Sequence, residues 1–267
     1  MTLFKIKLDR CEKKVRQLMS KRKYRDAIIF FQKFEHQKID SSGNVTFTHN
    51  EANVLTKIGE CAIKLELFTH AVTWLEAAVN LNPKNYDAWY HWGISFIELG
   101  DYENALECFN RVLEIKPKHI NSMCRKGQVL FELDKEPKAL IWLDKALKRS
   151  PKNAFALMYK GLVYCELKAY EQALDLLNQD KKLDPRNPKI PRYKGVIYLR
   201  QKKDKLALIW LDKALELDFE DLKSLEIKLA IFEKNNNETE AYDTKVIISN
   251  ILSKKIAIST NIPGILY

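Results

Sequence analysis

The residue types that could do chemistry are few in this chain, and their spacing is wrong for it. Five cysteines, Cys11, Cys61, Cys108, Cys124 and Cys165, are odd in number and form no Cys-x-x-Cys pair. Packed, reduced thiols are expected rather than disulfides or a metal site. Five histidines, His36, His49, His70, His91 and His119, are scattered, with no His-Glu-x-x-His that would set two imidazoles on one helix face. Each reads as a surface or turn residue rather than a ligand. No two of the eight glycines lie within four residues of each other, so no glycine-rich loop could cradle a phosphate. A Ser-His-Asp triad assembles across a fold rather than along a sequence, and nothing here points to one. No catalytic residue, cofactor-binding residue or metal ligand is assigned, and no small-molecule substrate is expected.

What is regular in the sequence is structural. Gly59, Gly93, Gly127, Gly161 and Gly195 are spaced by 34 residues without exception. Six alanines do the same: Ala71, Ala105, Ala139, Ala173, Ala207 and Ala241. Pro83, Pro117, Pro151 and Pro185 form a third ladder in the same phase. A period of this length marks an array of repeats. Within each period, two stretches carry apolar residues at helical spacing across a short break, and the proline segment closes the unit. Each unit is therefore expected to be a helical hairpin. The ladder glycine in the first helix marks the closest approach of the second, with the alanine at the reciprocal place.

These residues resemble the tetratricopeptide repeat. Residues 86–119 match it best, through Trp89, Trp92, Gly93, Phe96, Tyr102, Ala105, Phe109 and Pro117. Residues 52–85, 120–153, 154–187 and 188–221 fit with local changes, the last with Phe219 in place of the closing proline. Residues 1–41 read as a degenerate N-terminal hairpin on Tyr24, Ala27 and Phe31, and 42–51 as an insertion loop. Residues 222–255 read as a degenerate capping hairpin that puts Lys245 at a core place, and 256–267 as a tail without assignment. The resemblance implies an all-α fold, a right-handed α-solenoid of tandem 34-residue helix-turn-helix repeats.

It also implies a function. Proteins of this family mostly are not enzymes and usually hold a partner peptide in a concave groove. The fifth, ninth and twelfth places of each first helix face that groove. They correspond to Tyr90, Ile94 and Ile97, then Cys124, Gln128 and Phe131, then Met158, Leu162 and Cys165, then Arg192, Val196 and Leu199. This floor is apolar enough to read as an interaction site, although the same side chains could pack on neighbouring helices. Lys189, Arg192 and Arg200 are expected to meet an acidic group of the partner. Glu98, Glu132 and Glu166 form a 34-spaced row beside it, facing either a basic partner group or Arg125 and Lys160. Some family members clamp acidic chaperone tails; of that clamp only Lys189 is present here, with Cys124, Gln128, Tyr159 and Tyr193 at the other places. Trp74, Trp142 and Trp210 recur at two periods and read as core.

The net charge of +10 is unevenly spread. Residues 1–25 carry ten Lys/Arg against two acids, residues 178–205 ten against three, and the remainder 25 against 30. Two basic patches are therefore local features rather than a general nucleic-acid coat. The leading expectation is a non-catalytic scaffold or adaptor for protein or peptide partners. An RNA-associated repeat protein using the basic patches, or the regulatory subunit of an enzyme complex, are the alternatives. No apolar run is long enough to span a bilayer and the first residues lack a signal-peptide pattern, so no membrane insertion and a soluble, cytoplasmic location are expected.

Overall fold

A computed structural model describes residues 3–36, 51–183 and 185–260. Among them are fourteen helices and no strand. They follow one another in sequence two to a repeat: α1 (Leu3–Ser20) then α2 (Tyr24–His36), α3 (Ala52–Lys64) then α4 (Phe68–Leu81), α5 (Tyr86–Glu98) then α6 (Tyr102–Ile115), and α7 (Ile120–Glu132) then α8 (Glu136–Arg149). The series continues with α9 (Ala154–Glu166) and α10 (Tyr170–Leu183), α11 (Lys189–Arg200) and α12 (Asp204–Leu217), and α13 (Leu222–Lys234) and α14 (Glu238–Thr260). The chain divides into two compact units, one running through Asp134 and one beginning at Lys135. The expected insertion at 42–51, apart from Glu51, and part of the tail lie outside the described residues.

The turn inside each pair is built by one device. Its first helix ends on a residue with left-handed φ: Arg22, Glu66, Gly100, Asp134, Lys168, Lys202 and Asn236, between +53° and +79°. From Glu66 onward these sites repeat the 34-residue period. At six of these sites, Asp134 apart, the amide after the site reaches back to close the helix, as in Leu67 N–H to Ala62 O at 2.9 Å and Ala169 N–H to Tyr164 O at 2.8 Å. Only Gly100 fits this conformation without a Cβ penalty. The break between pairs is closed by side-chain caps. Asn85, His119 and Asn153 accept the amide N–H of Ala88, Ser122 and Ala156 at the starts of α5, α7 and α9. The Trp89 indole N–H donates to Pro83 O at 2.9 Å, tying one proline turn to the helix after it.

The ladder glycines are packing glycines. A Cβ on Gly93 would stand 2.8 Å from the Phe109 ring, and on Gly59 2.5 Å from Leu75. On Gly161 and Gly195 it would meet the carbonyl oxygens of Ala173 and Ala207 at 3.2 Å. The alanines thus let a backbone carbonyl approach the glycine, while a larger side chain four residues later, Leu75, Phe109, Leu177 or Leu211, fills the remaining space. With Leu143 these residues form a further 34-residue ladder, and all five are wholly buried. The last pair departs from it. Lys245 is exposed and ion-paired with Glu233 at 2.7 Å, and α14 buries Thr244 instead. A lysine ammonium is too costly to desolvate at the place where the other hairpins bury leucine or phenylalanine.

Candidate functional site

The first helices hold the candidate site, and within each unit the structure sorts its residues by accessibility. In the first unit Tyr90, Ile94 and Phe131 are half-buried, while Ile97, Cys124 and Gln128 are buried. In the second, Val196 and Leu199 are half-buried and Lys189 and Arg200 exposed, while Met158, Leu162, Cys165 and Arg192 are buried. The buried members lie in helices whose opposite side is also packed, so their apolar character serves cohesion.

A contact missed in the sequence explains several of these positions. In three places the residue at the fifth place of a first-helix repeat reaches the cap residue of the next first helix, 29 positions on. Asn85 donates to Thr56 Oγ1 at 3.0 Å. The Tyr90 ring meets the His119 imidazole edge-on, centroids 5.3 Å apart. Arg192 pairs with Asp221, both side chains more than nine-tenths buried, and Ser224 Oγ donates to the second Asp221 oxygen at 2.6 Å. Arg192, read from sequence as a cation facing a partner carboxylate, thus has its carboxylate inside the fold. The signal was present in the sequence as Asp221 at the place of Asn85, His119 and Asn153, a charged cap where the fifth residue is charged.

The charged row is also differently partnered. Glu166 pairs with Arg200 at 2.9 Å, rather than with Arg125 or Lys160. Lys160 pairs instead with Asp144 at 2.7 Å. Trp142 and Trp210, expected in the core, are half-buried under lysines: Lys145 lies 4.1 Å over Trp142, and Lys194 and Lys213 lie 4.5 and 4.3 Å over Trp210.

The titratable groups are tuned against reactivity. All five thiols are buried. Burial pushes Cys61 up to about 12 and Cys124 and Cys165 to about 11, and raises Cys108 as well. The thiolates needed for nucleophilic attack are therefore scarce at neutral pH. His91, expected at the surface or in a turn, is largely buried in α5 with Nε2 3.9 Å from Glu60. Burial lowers its pKa against the pull of Glu60. His119 is also lowered, by burial and then by Lys116. It is a cap: Nδ1 lies 2.7 Å from Ser122 Oγ and 3.3 Å from Ser122 N. Among the described residues, no three His, Cys, Asp or Glu side chains group as metal ligands. No described helix is long and apolar enough to cross a membrane.

Paired helices of one period, closed by left-handed turns and knit through their first helices, define a helical-repeat scaffold. The tetratricopeptide repeat model matches residues 86–119. The model for subunit 3 of the anaphase-promoting complex, cyclosome, matches 132–214, and the protein prenyltransferase alpha subunit repeat matches 68–94. A tetratricopeptide repeat protein from Parabacteroides merdae superposes with a TM-score of 0.73 at 15% identity, covering 93% of this chain and 98% of that one. A thermophilic protein of the same kind from Thermus thermophilus gives 0.61 at 23%, covering 68% and 98%. MamA from Desulfovibrio magneticus RS-1 gives 0.52 at 25%, covering 64% and 97%. No curated protein matches the chain in sequence. Residues 86–119 match the tetratricopeptide repeat itself, and over most of its length the chain has the fold of tetratricopeptide-repeat proteins.

Proposed function

We propose that the chain is a non-catalytic, cytoplasmic scaffold that holds a partner protein segment against the accessible faces of its first helices. The observation that carries this reading is the half-buried state of Tyr90, Ile94 and Phe131 at the places that face the groove in the family, with Tyr86, Trp89, Trp92 and Phe96 of α5 half-buried as well. Val196 and Leu199 offer the same surface in the second unit, with exposed Lys189 near it as the cation for an acidic group. Arg192 and Arg200 have carboxylate partners within the fold. Buried, protonated thiols and a histidine spent on capping support a role without chemistry.

Affinity capture from the native cell, comparing the parent with Tyr90→Ala and Phe131→Ala, tests this directly. Truncating a central anchor costs about 2 kcal/mol or more and shows as faster dissociation. Partners lost selectively from the variants are the groove ligands. Full retention of every partner by both variants, with their fold intact, would sink the proposal.

A further inference from the structure

The fourth place of each repeat from residue 52 onward forms a ladder of its own: Leu55, Trp89, Met123, Leu157, Pro191 and Leu225. Five of these carry a long apolar side chain. Leu55, Met123, Leu157 and Leu225 are buried and Trp89 is half-buried. Pro191 is the exception, because its ring is too short to fill the space that a leucine or an indole takes. A cavity of about 240 Å³ lies beside it, lined by Pro185 in the preceding turn, by Ile190 and Pro191 of α11 and by Trp210, Lys213 and Leu217 of α12. Leu217, 46% exposed, and exposed Pro185 place it at the surface. All of it belongs to the second unit.

The chain displays what such a space takes. Trp89 donates its indole N–H to Pro83 O at 2.9 Å, and Pro185 and Pro191 stand three periods after Pro83 and Trp89. The hairpin of α11 and α12 therefore keeps the proline turn whose carbonyl receives an indole in another hairpin, and lacks the indole. A tryptophan that buries its ring needs such an acceptor for its N–H. Size narrows the ligand further. Pockets for drug-sized molecules run to about 300–1,000 Å³, so this one suits a single ring system carried on a larger partner. Charge narrows it again. Lys213 lies 4.3 Å over Trp210, exposed Arg186 stands between the lining residues Pro185 and Asn187, and Glu216 is the one carboxylate of the lining. A segment bearing acids meets this mouth with the favourable sign.

We propose that the pocket receives the indole of a tryptophan in an acidic segment of a partner protein. The ring lies against Pro185, Pro191 and Leu217, its N–H is donated to Pro185 O, and neighbouring carboxylates meet Lys213 and Arg186. The site is separate from the first-helix surface of Tyr90, Ile94 and Phe131 and stands or falls independently of it.

Fluorescence anisotropy of a fluorescein-labelled Gly-Asp-Glu-Trp-Glu-Asp-Gly peptide, titrated with the full chain, tests this. Saturable binding is expected below about 1 mM. Replacing the peptide tryptophan by alanine should abolish it, and replacing it by naphthylalanine, which keeps the ring area without the N–H, should weaken it about fivefold. Pro191→Leu restores the residue found at Leu157 and Leu225. It should weaken binding about tenfold or more while leaving the melting temperature equal to the parent's or higher, since a filled cavity does not destabilise. Leu217→Asp, at an exposed place, should weaken binding as much with the helical spectrum unchanged. Tyr90→Ala and Phe131→Ala should bind this peptide like the parent. The proposal is overturned by a peptide that fails to saturate the chain, by equal binding of the alanine peptide, or by parent-like affinity in Leu217→Asp or in a folded Pro191→Leu. Loss of binding in Tyr90→Ala or Phe131→Ala instead would put the peptide in the groove and overturn it as well.

Discussion

At the scale of single residues, two sites report on the fold with little else disturbed. His119 caps α7 only while Nδ1 is unprotonated, and both His119 and His91 have pKa values held below the ordinary histidine value. The unfolded chain therefore takes up protons first, and this part of the stability is present above about pH 6.5 and lost as pH falls through the lower folded values. Thermal melts between pH 7.5 and 5 should show that loss. His119→Asn keeps a cap acceptor without a proton to gain, so its melting temperature should fall less over the same range, with a remainder from His91. Equal slopes in parent and variant would show that His119 does not titrate in the fold. Backbone strain gives the second test. Lys168 sits at φ +60°, and Lys168→Gly should stabilise by up to about 1 kcal/mol, the relief being partly offset by the freedom of glycine in the unfolded chain. Gly100→Ala should cost about 1 kcal/mol or more.

At the scale of elements, cohesion lies in two kinds of joint. Within a hairpin it is the glycine contact. Gly161→Leu would drive a side chain into Ala173 O and Leu177, and should cost about 1–3 kcal/mol or more in a denaturant titration. A variant as stable as the parent would refute that packing. Between hairpins it is the fifth-residue-to-cap contact. Arg192→Met strands Asp221 as a buried carboxylate and should cost about 3–5 kcal/mol, whereas adding Asp221→Asn should recover much of the loss. A double variant no better than the single one would remove the charge from the explanation. The glycine joints were legible in the sequence because tight packing demands a particular residue type at a fixed interval. The cap joints were not, since Thr56 with Asn85, Tyr90 with His119 and Arg192 with Asp221 share geometry while differing in chemistry. The same limit hid the accessible surface. An apolar residue at a groove place reads identically whether it is open, as Ile94 partly is, or sealed, as Met158 is.

At the scale of the whole molecule, stability in a repeat array is a sum of local hairpins and the joints between neighbours. Gly195→Leu should lower hydrogen-exchange protection in α11, α12 and the hairpins beside them, and leave α1 to α4 near the parent values. A uniform loss along the chain would mean that the array melts as one cooperative body. The five sealed cysteines turn this question into a direct measurement. They sit in α1, α3, α6, α7 and α9, each no more than 3% exposed, and thiol reagents reach them only when the surrounding helix opens. Pulse labelling of the native protein, read peptide by peptide in a mass spectrometer, would clock five separate opening reactions on an unmodified chain.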